Sequence, residues 1–509
     1  MTKAKIVLLN PPTAVTSSEP ILSLGFLAAS LRKEGHKVII LDATAPYKKL
    51  TEKQVKEKII NFKPNFIGVT LTIVCIAQTY KFLKRLRKLK IPIVAGGPHP
   101  NCRPEEVLNN GVDVVAIGEG EKTIVELADY YLGNRTLETV KGICFKKKNG
   151  KSHYTSRREL INNLDEIMFP DFSDFPIKNY TGKDDPNSNP IFWSLFSSRG
   201  CPFNCIFCSS HNVFGRTYRL RTAENVFKEI KELHDRFGAK RFAFQDDEIL
   251  CSKKRFMELC DLIINSGLDI SMSLRTRISS IDEELLTKAK KAGLRRIGFG
   301  IESFNDDTLK KINKMYEVKV IREKMGLLKK TNFKYIYFNN IYGFPWETQD
   351  HVNNNLVEIE SINKYLEFFT SVVNPVPYPG TKLYDDYHEE YGFTDWWLKP
   401  DNHSSFTMPK TKPYYYNFAR SMYPLYIESP YWNYSHKTKK EINNFCWGVF
   451  KIFMKRHYNE KTANKLIRDS IISYVLWKIS PAMENIIFSG KKSDIKLKEF
   501  IEAISYTTK

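Results

Sequence analysis

Long hydrophobic runs are missing from this chain: no uninterrupted apolar stretch among its 509 residues is long enough to cross a bilayer. The opening MTKAKIVLLNPP ends in prolines and lacks the apolar core and small-residue cleavage site of a secretion signal, so a cytoplasmic address is expected. Acid is in deficit, with 57 Asp and Glu against 78 Lys and Arg and a formal charge of +21. That balance is compatible with a peripheral membrane surface, nucleic acid or an acidic substrate. The lysines are nevertheless spread along the chain, as on a solvated surface, and no RNA-binding module signature occurs, so nucleic acid is not an expected partner. Six of the nine cysteines (Cys75, Cys102, Cys144, Cys251, Cys260 and Cys446) are scattered, which argues against a disulfide framework. Neither a Gly-x4-Gly-Lys phosphate loop nor a Ser/His/Asp set competes for a functional assignment.

What is present is a folded composition, 42% hydrophobic and 13% aromatic, in a chain long enough for two or three domains. The remaining three cysteines lie within eight residues, in SSRGCPFNCIFC, as Cys201, Cys205 and Cys208. Three thiolates at Cys-x3-Cys-x2-Cys spacing can hold three corners of a 4Fe–4S cube and leave one iron open. With His211 three residues further on, the same thiols could complete a Cys3His zinc site, although structural zinc usually staples a small module.

Short β-branched runs alternate with helical periodicity over the first 140 residues: KIVLLN, KVIILDA, FIGVTLT, IPIVAGG and VDVVAIGEG. This pattern predicts a doubly wound, Rossmann-like parallel sheet whose ligand sits beyond the carboxyl ends of its strands. Those ends carry Pro11 and Pro12, Thr70 and Thr72, Gly96, Gly97 and His99, then Gly118, Glu119 and Gly120. Residues 141–190, rich in Pro, Asp and Asn around a hairpin-like basic turn KKKNGKSH, read as a linker. From 191 to 395 six further strand-like runs separated by helices predict a partial (β/α)6 barrel of TIM type, with functional residues on the loops after the strands. The three cysteines occupy the first of those loops.

Two resemblances join here. NPP, LGFLAASLRKEGHKVIILDA, GGPHP and GEGE resemble the cobalamin-binding domain that precedes many radical S-adenosylmethionine enzymes. The cysteine loop, with Phe207 before its last cysteine, resembles the signature of those enzymes. FQDDE, RTRISSIDEELLTKAKKAGLRRIGFGIES, YGFPWET and PVPYPGTKLYDDY come after it in the family's order. Together, over residues 1–395, the chain resembles the cobalamin-dependent radical S-adenosylmethionine family.

The resemblance implies that Cys201, Cys205 and Cys208 ligate a 4Fe–4S cluster whose open iron binds S-adenosylmethionine. Phe207 would contact the adenine, and Glu302 the nucleoside or its amino acid part, with a barrel-top salt bridge as the alternative. Asp246 and Asp247 would orient the ammonium group or the substrate, or else cap their loop. Arg277 would meet the carboxylate of S-adenosylmethionine, unless it pairs with a structural carboxylate. The strand-end residues of the first domain would hold cobalamin, unless that domain is degenerate and empty. One departure stands out: the Asp-x-His-x-x-Gly motif that supplies cobalt with a histidine is absent, and DYHEEYG (386–392) has the wrong spacing.

The chemistry implied is reductive cleavage of S-adenosylmethionine to a 5′-deoxyadenosyl radical, with methylation of an unactivated carbon as the outcome. The alternatives are a non-methylating cyclase or rearrangement enzyme and a cobalamin- or zinc-binding regulatory protein. An electron donor such as flavodoxin or ferredoxin is implied as partner. Residues 396–509, aromatic and basic, read as a mostly helical cap suited to a small, apolar or lipid-like substrate or to a membrane surface.

Overall fold

The structure, a computed structural model, describes residues 2–398 apart from 14–16, 18, 46–47, 176, 178–179, 181–191, 334, 367, 374 and 391–393. The expected helical cap therefore lies almost wholly outside the described residues.

The first sheet has seven strands: β1 (Lys5–Asn10), β2 (Lys37–Asp42), β3 (Phe66–Thr70), β4 (Ile93–Gly96), β5 (Val114–Ala116), β6 (Ile143–Lys146) and β7 (Ser152–Tyr154). Their order is β2-β1-β3-β4-β5-β6-β7; the first five are parallel and the last two antiparallel. In β1, Ile6, Val7, Leu8 and Leu9 are fully buried, as expected for a central strand covered by helices on both faces. The helix Glu52–Phe62 starts at a capping box in which Thr51 and Gln54 satisfy each other's exposed amides. Reversal of direction between β1 and β3 makes the switch point where such sheets open a crevice.

The basic turn read as part of the linker connects β6 to β7, so the sheet runs to Tyr154, past the boundary expected at 140. The segment after Tyr154 is strapped to both halves of the molecule. Arg32 pairs with Asp171 and Asp174, the Tyr180 hydroxyl donates to Asp42, and Asp165 accepts from the Thr222 amide at 3.0 Å and its hydroxyl at 2.7 Å.

The second sheet is the partial barrel. Its six parallel strands are β8 (Trp193–Leu195), β11 (Arg241–Phe244), β12 (Ser271–Thr276), β13 (Leu294–Glu302), β14 (Tyr335–Ile341) and β15 (Phe369–Val373), adjacent in that order. A two-stranded ribbon, β9 (Ser198–Arg199) with β10 (Arg219–Leu220), stands at the carboxyl end of β8. Met272, Leu274, Ile297, Phe299, Ile336 and Phe338 are buried beneath the helices, and the alternate residues face the lumen.

Candidate active site

The cysteine loop is held at its base by the β9–β10 ribbon. Gly200 makes the turn at φ +83, where a Cβ would meet the Thr217 carbonyl oxygen at 2.4 Å. A hydrogen bond from the Cys208 amide to the Cys205 carbonyl (3.1 Å) turns the loop between these two cysteines. The loop is anchored outward by Asn313 Nδ2 donating to the Asn204 carbonyl (2.9 Å) and by the Leu383 amide donating to the Ile206 carbonyl (2.9 Å). All three cysteines are half-buried.

Two buried cations border the thiols. Arg277 places Nη1 3.9 Å from Cys205 Sγ, lies 3.8 Å from the Phe203 ring centroid, donates through Nη2 to the Lys314 carbonyl and leaves its buried Nε–H without an acceptor. Lys314 binds Glu302 Oε1 at 3.0 Å, both side chains being almost fully buried. Gly300 makes room for that pair, since a Cβ there would lie 2.5 Å from Glu302 Oε1. Glu302 itself has φ +69, an αL backbone uncommon for a non-glycine residue, at a register shift in the β13–β14 pairing. Burial pushes the Cys201 thiol up to about 11 and raises that of Cys205, against the pull of Lys314 and Arg277.

The other predicted contacts divide. Phe207 packs near Phe344, with ring centroids 6.3 Å apart. Asp246 is buried and accepts from the Ser197 amide (3.1 Å) and the Ser197 and Ser198 hydroxyls, so it secures the stem of the cysteine loop. Asp247 is exposed, yet desolvation by its surroundings and the Asp246 charge push its carboxyl up to about 6.

At the edge of the first sheet, Pro11 is buried, Pro12 and Thr70 are half-buried and Thr72 is exposed. A Cβ on Gly118 would meet nothing within 4 Å and one on Gly96 only Ala116 at 3.9 Å, leaving open floor above β4 and β5. Gly97 (φ +107) is required by close approach instead, its Cβ falling 2.8 Å from the Leu71 carbonyl oxygen. Gly120 lets its helix approach Leu27, and so serves packing. His99 is buried, with Nε2 3.0 Å from both the Tyr80 hydroxyl and Glu106 Oε1, while its Nδ1 has no hydrogen-bond partner.

Glu119 departs furthest from expectation. Its carboxylate is buried and accepts from Arg199 Nη1 (2.7 Å), Arg219 Nη1 (2.8 Å) and the Ile161 amide (2.7 Å), which hold it below the usual carboxylate range despite desolvation. Glu121 takes the other arm of Arg199. These bonds tie the first sheet to a residue two positions before Cys201, so Glu119 is an interdomain latch. Arg199, Arg219, Lys314 and Glu248 carry no signal in the sequence that marks them for the site. Glu248 accepts from the Arg277 amide (2.7 Å) and the Thr276 hydroxyl, fixing the turn that carries Arg277.

Residues 195–356 match the radical SAM superfamily and residues 14–128 the B12 binding domain. An uncharacterized methyltransferase of Pyrococcus horikoshii is 33% identical over 75% of this chain and 82% of its own length. The chain belongs to the cobalamin-dependent radical S-adenosylmethionine family. Within that family, the anaerobic magnesium-protoporphyrin IX monomethyl ester cyclase of Rubrivivax gelatinosus is 26% identical over 88% of this chain and 81% of its own. Among solved structures, the radical S-adenosylmethionine methyltransferase TsrM of Kitasatospora setae, with cobalamin and a [4Fe-4S] cluster bound, superposes with TM-score 0.63. That match, at 18% identity over 77% of this chain and 76% of TsrM, shows a shared fold.

The residues of this radical S-adenosylmethionine chain fit the two groups its family implies. Three half-buried thiols on one short loop, with Arg277 and Lys314 beside that of Cys205, suit a negatively charged thiolate-ligated cluster. The open floor at Gly96 and Gly118, beside the β1/β3 switch point, suits a large flat ligand. The Cys3His zinc arrangement is not assembled: His211 Nε2 lies 3.3 Å from the Gly380 carbonyl oxygen, and among the described residues no three His, Cys, Asp or Glu gather as one metal ion would need.

Proposed function

We propose that this enzyme methylates an unactivated carbon of a small, largely apolar substrate, with Cys201, Cys205 and Cys208 holding a 4Fe–4S cluster and the edge of the first sheet holding cobalamin. When bound, the cluster supplies the electron that splits S-adenosylmethionine into methionine and a 5′-deoxyadenosyl radical, and cobalamin supplies the methyl group. The observation that carries the reading is the convergence of the thiol loop with Arg277, whose buried Nε–H lacks an acceptor and can meet the carboxylate of S-adenosylmethionine.

The chain's own residues position and enclose. Glu248 sets the Arg277 turn, and Phe203 stacks on its guanidinium. Lys314 neutralises Glu302 and biases Cys205 toward thiolate. The Glu119–Arg199–Glu121 latch fixes the spacing between the two strand edges, on which any transfer between the groups they hold depends. The name of the Pyrococcus horikoshii relative supports methyl transfer. The tetrapyrrole named for the Rubrivivax cyclase supports a bulky apolar substrate class. We place the enzyme in the cytoplasm with a flavodoxin- or ferredoxin-type donor, in keeping with the absence, among the described residues, of a helix long and apolar enough to cross a membrane.

The test is anaerobic reconstitution with iron and sulfide, then addition of dithionite, S-adenosylmethionine and methylcobalamin. 5′-Deoxyadenosine should form, joined by S-adenosylhomocysteine once a substrate takes up the methyl group, and both should vanish with iron binding in Cys201→Ala/Cys205→Ala/Cys208→Ala. 5′-Deoxyadenosine without S-adenosylhomocysteine in the presence of a turned-over substrate would replace methylation by ring formation or rearrangement. An iron-free protein would return the regulatory reading.

A further inference from the structure

The lumen of the barrel carries charge that the proposed chemistry does not use. Strand register defines its rows: Ser194, Ala243, Ser273 and Arg296 lie side by side across β8, β11, β12 and β13, and the next row holds Arg275, Gly298 and Tyr337. Barrel lumens are commonly filled by branched aliphatic side chains. This one holds two guanidinium groups in adjacent rows.

Their placement is built. Arg275 Nε donates to the Tyr337 hydroxyl at 2.7 Å, and the Tyr337 ring lies 6.0 Å from Arg275 and 5.3 Å from Arg296. Tyr337 crosses the neighbouring strand at a glycine, where a Cβ on Gly298 would fall 2.1 Å from its Cζ. The Tyr337 bond engages only Nε of Arg275, whose side chain is exposed. Glu19, an acid that faces both arginines, reaches in from the segment after β1 and accepts from the Ser194 hydroxyl and from Gln245 Nε2 at 3.2 Å. Among the described residues, the two terminal guanidinium nitrogens of Arg275 make no hydrogen bond and stay available on this wall.

We infer that the substrate ends in an anionic group, a carboxylate or a phosphate, received inside the barrel by Arg275 with Arg296, while Tyr337 holds Arg275 in place. This deepens the proposed function and rests on its reading of the barrel as the substrate site. A planar guanidinium matches either oxyanion with paired N–H bonds. Arg275 lies two residues below Arg277 on β12, about 6–7 Å along the strand. An anchored anion there would hold an otherwise featureless apolar molecule at a fixed depth beneath the thiol loop.

The experiment is binding of laurate, methyl laurate, farnesyl monophosphate and farnesol to the full-length reconstituted protein, by anaerobic calorimetry. At least one anion should bind about tenfold or more tighter than its neutral counterpart, the size expected for a charged hydrogen bond, and the better anion identifies carboxylate or phosphate. Arg275→Gln should remove that preference, Arg275→Lys retain part of it, and Gly298→Ala, which displaces Tyr337, weaken the anions alone. Equal affinity for charged and neutral probes overturns the inference. So does failure of every anion to bind, or a preference that survives Arg275→Gln/Arg296→Gln in a protein with native circular dichroism. Should that double variant not fold, the native protein decides: anion affinity that falls with added salt supports the arginines, and salt-independent affinity overturns them. Because binding is the readout, this result is separable from formation of 5′-deoxyadenosine, on which the proposed function stands.

Discussion

At the edge of the first sheet, Glu119 has its carboxylate committed to Arg199, Arg219 and the Ile161 amide, whereas at the barrel's edge Arg277 keeps a buried N–H with no acceptor. Both residues sit in strand-end loops of the kind that hold ligands, and both are buried and charged. One is closed within the protein and the other is left open. A buried carboxylate with every partner in place is architecture. Of the buried donors without an acceptor, which include Arg219 Nε and the Arg255 guanidinium, Arg277 Nε belongs to a side chain that touches a thiol and so points to something the chain expects to bind. His99 brings the open kind into the first sheet, through the single atom Nδ1.

The strongest way to break this contrast is Glu119→Ala. Removing one member of a buried ion-pair cluster leaves Arg199 and Arg219 undercompensated, at a cost of about 3–5 kcal/mol. Urea denaturation should show that loss. Unchanged stability with lost cobalamin uptake would reverse the assignment and return Glu119 to the ligand set.

The first sheet and the barrel were legible because parallel strands write themselves as continuous β-branched runs, and the cysteine spacing named its own loop. What could not be read was which polar residue at a strand end faces inward. Glu119 lies within a resembled motif and reads as a ligand contact; its partners Arg199 and Arg219 are 80 and 100 residues away. Lys314 stands among lysines in KKINKMYE, so nothing local separates the buried one from its solvated neighbours. Asp246 and Asp247 are adjacent and chemically identical, and only the fold gives one to Ser197 and the other to solvent. The hairpin at 143–154 was visible as a turn, but its membership in the first sheet depends on pairing with β5 across 27 to 31 residues.

Two substitutions sharpen the open side of the comparison. Arg277→Gln should weaken S-adenosylmethionine binding by on the order of ten- to a hundredfold, the range of a charged hydrogen bond, as measured by equilibrium dialysis on reconstituted protein. Retained affinity would assign Arg277 to the loop alone. Gly96→Leu tests the floor above β4. Its backbone is not left-handed and its Cβ has room, so stability should hold within about 1 kcal/mol. Cobalamin bound per chain, read by visible absorbance, should fall severalfold. Full loading would move the cofactor away from this edge.

Glu347→Gln tests whether the contrast follows position or partners. Glu347 belongs to YGFPWET at the barrel's edge, yet it is closed like Glu119, accepting from the Gly343 amide (2.8 Å), the Phe344 amide (3.1 Å) and the Thr308 hydroxyl (3.2 Å). No cation among the described residues completes the set, and burial pushes its carboxyl up to about 8 from an ordinary value of 4.5. Between those two values the folded chain holds a proton that the unfolded chain has lost, so stability contributed by this group falls as pH rises through the window and levels off above it. Glu347→Gln keeps an acceptor for both amides and has no proton to release. Its stability relative to the parent should therefore climb from about pH 5 to about pH 9 in denaturation series. A flat difference would mean that three neutral donors suffice to keep Glu347 ionised throughout. Completeness of partners, with or without a cation among them, would then be what separates the closed residues from the open ones.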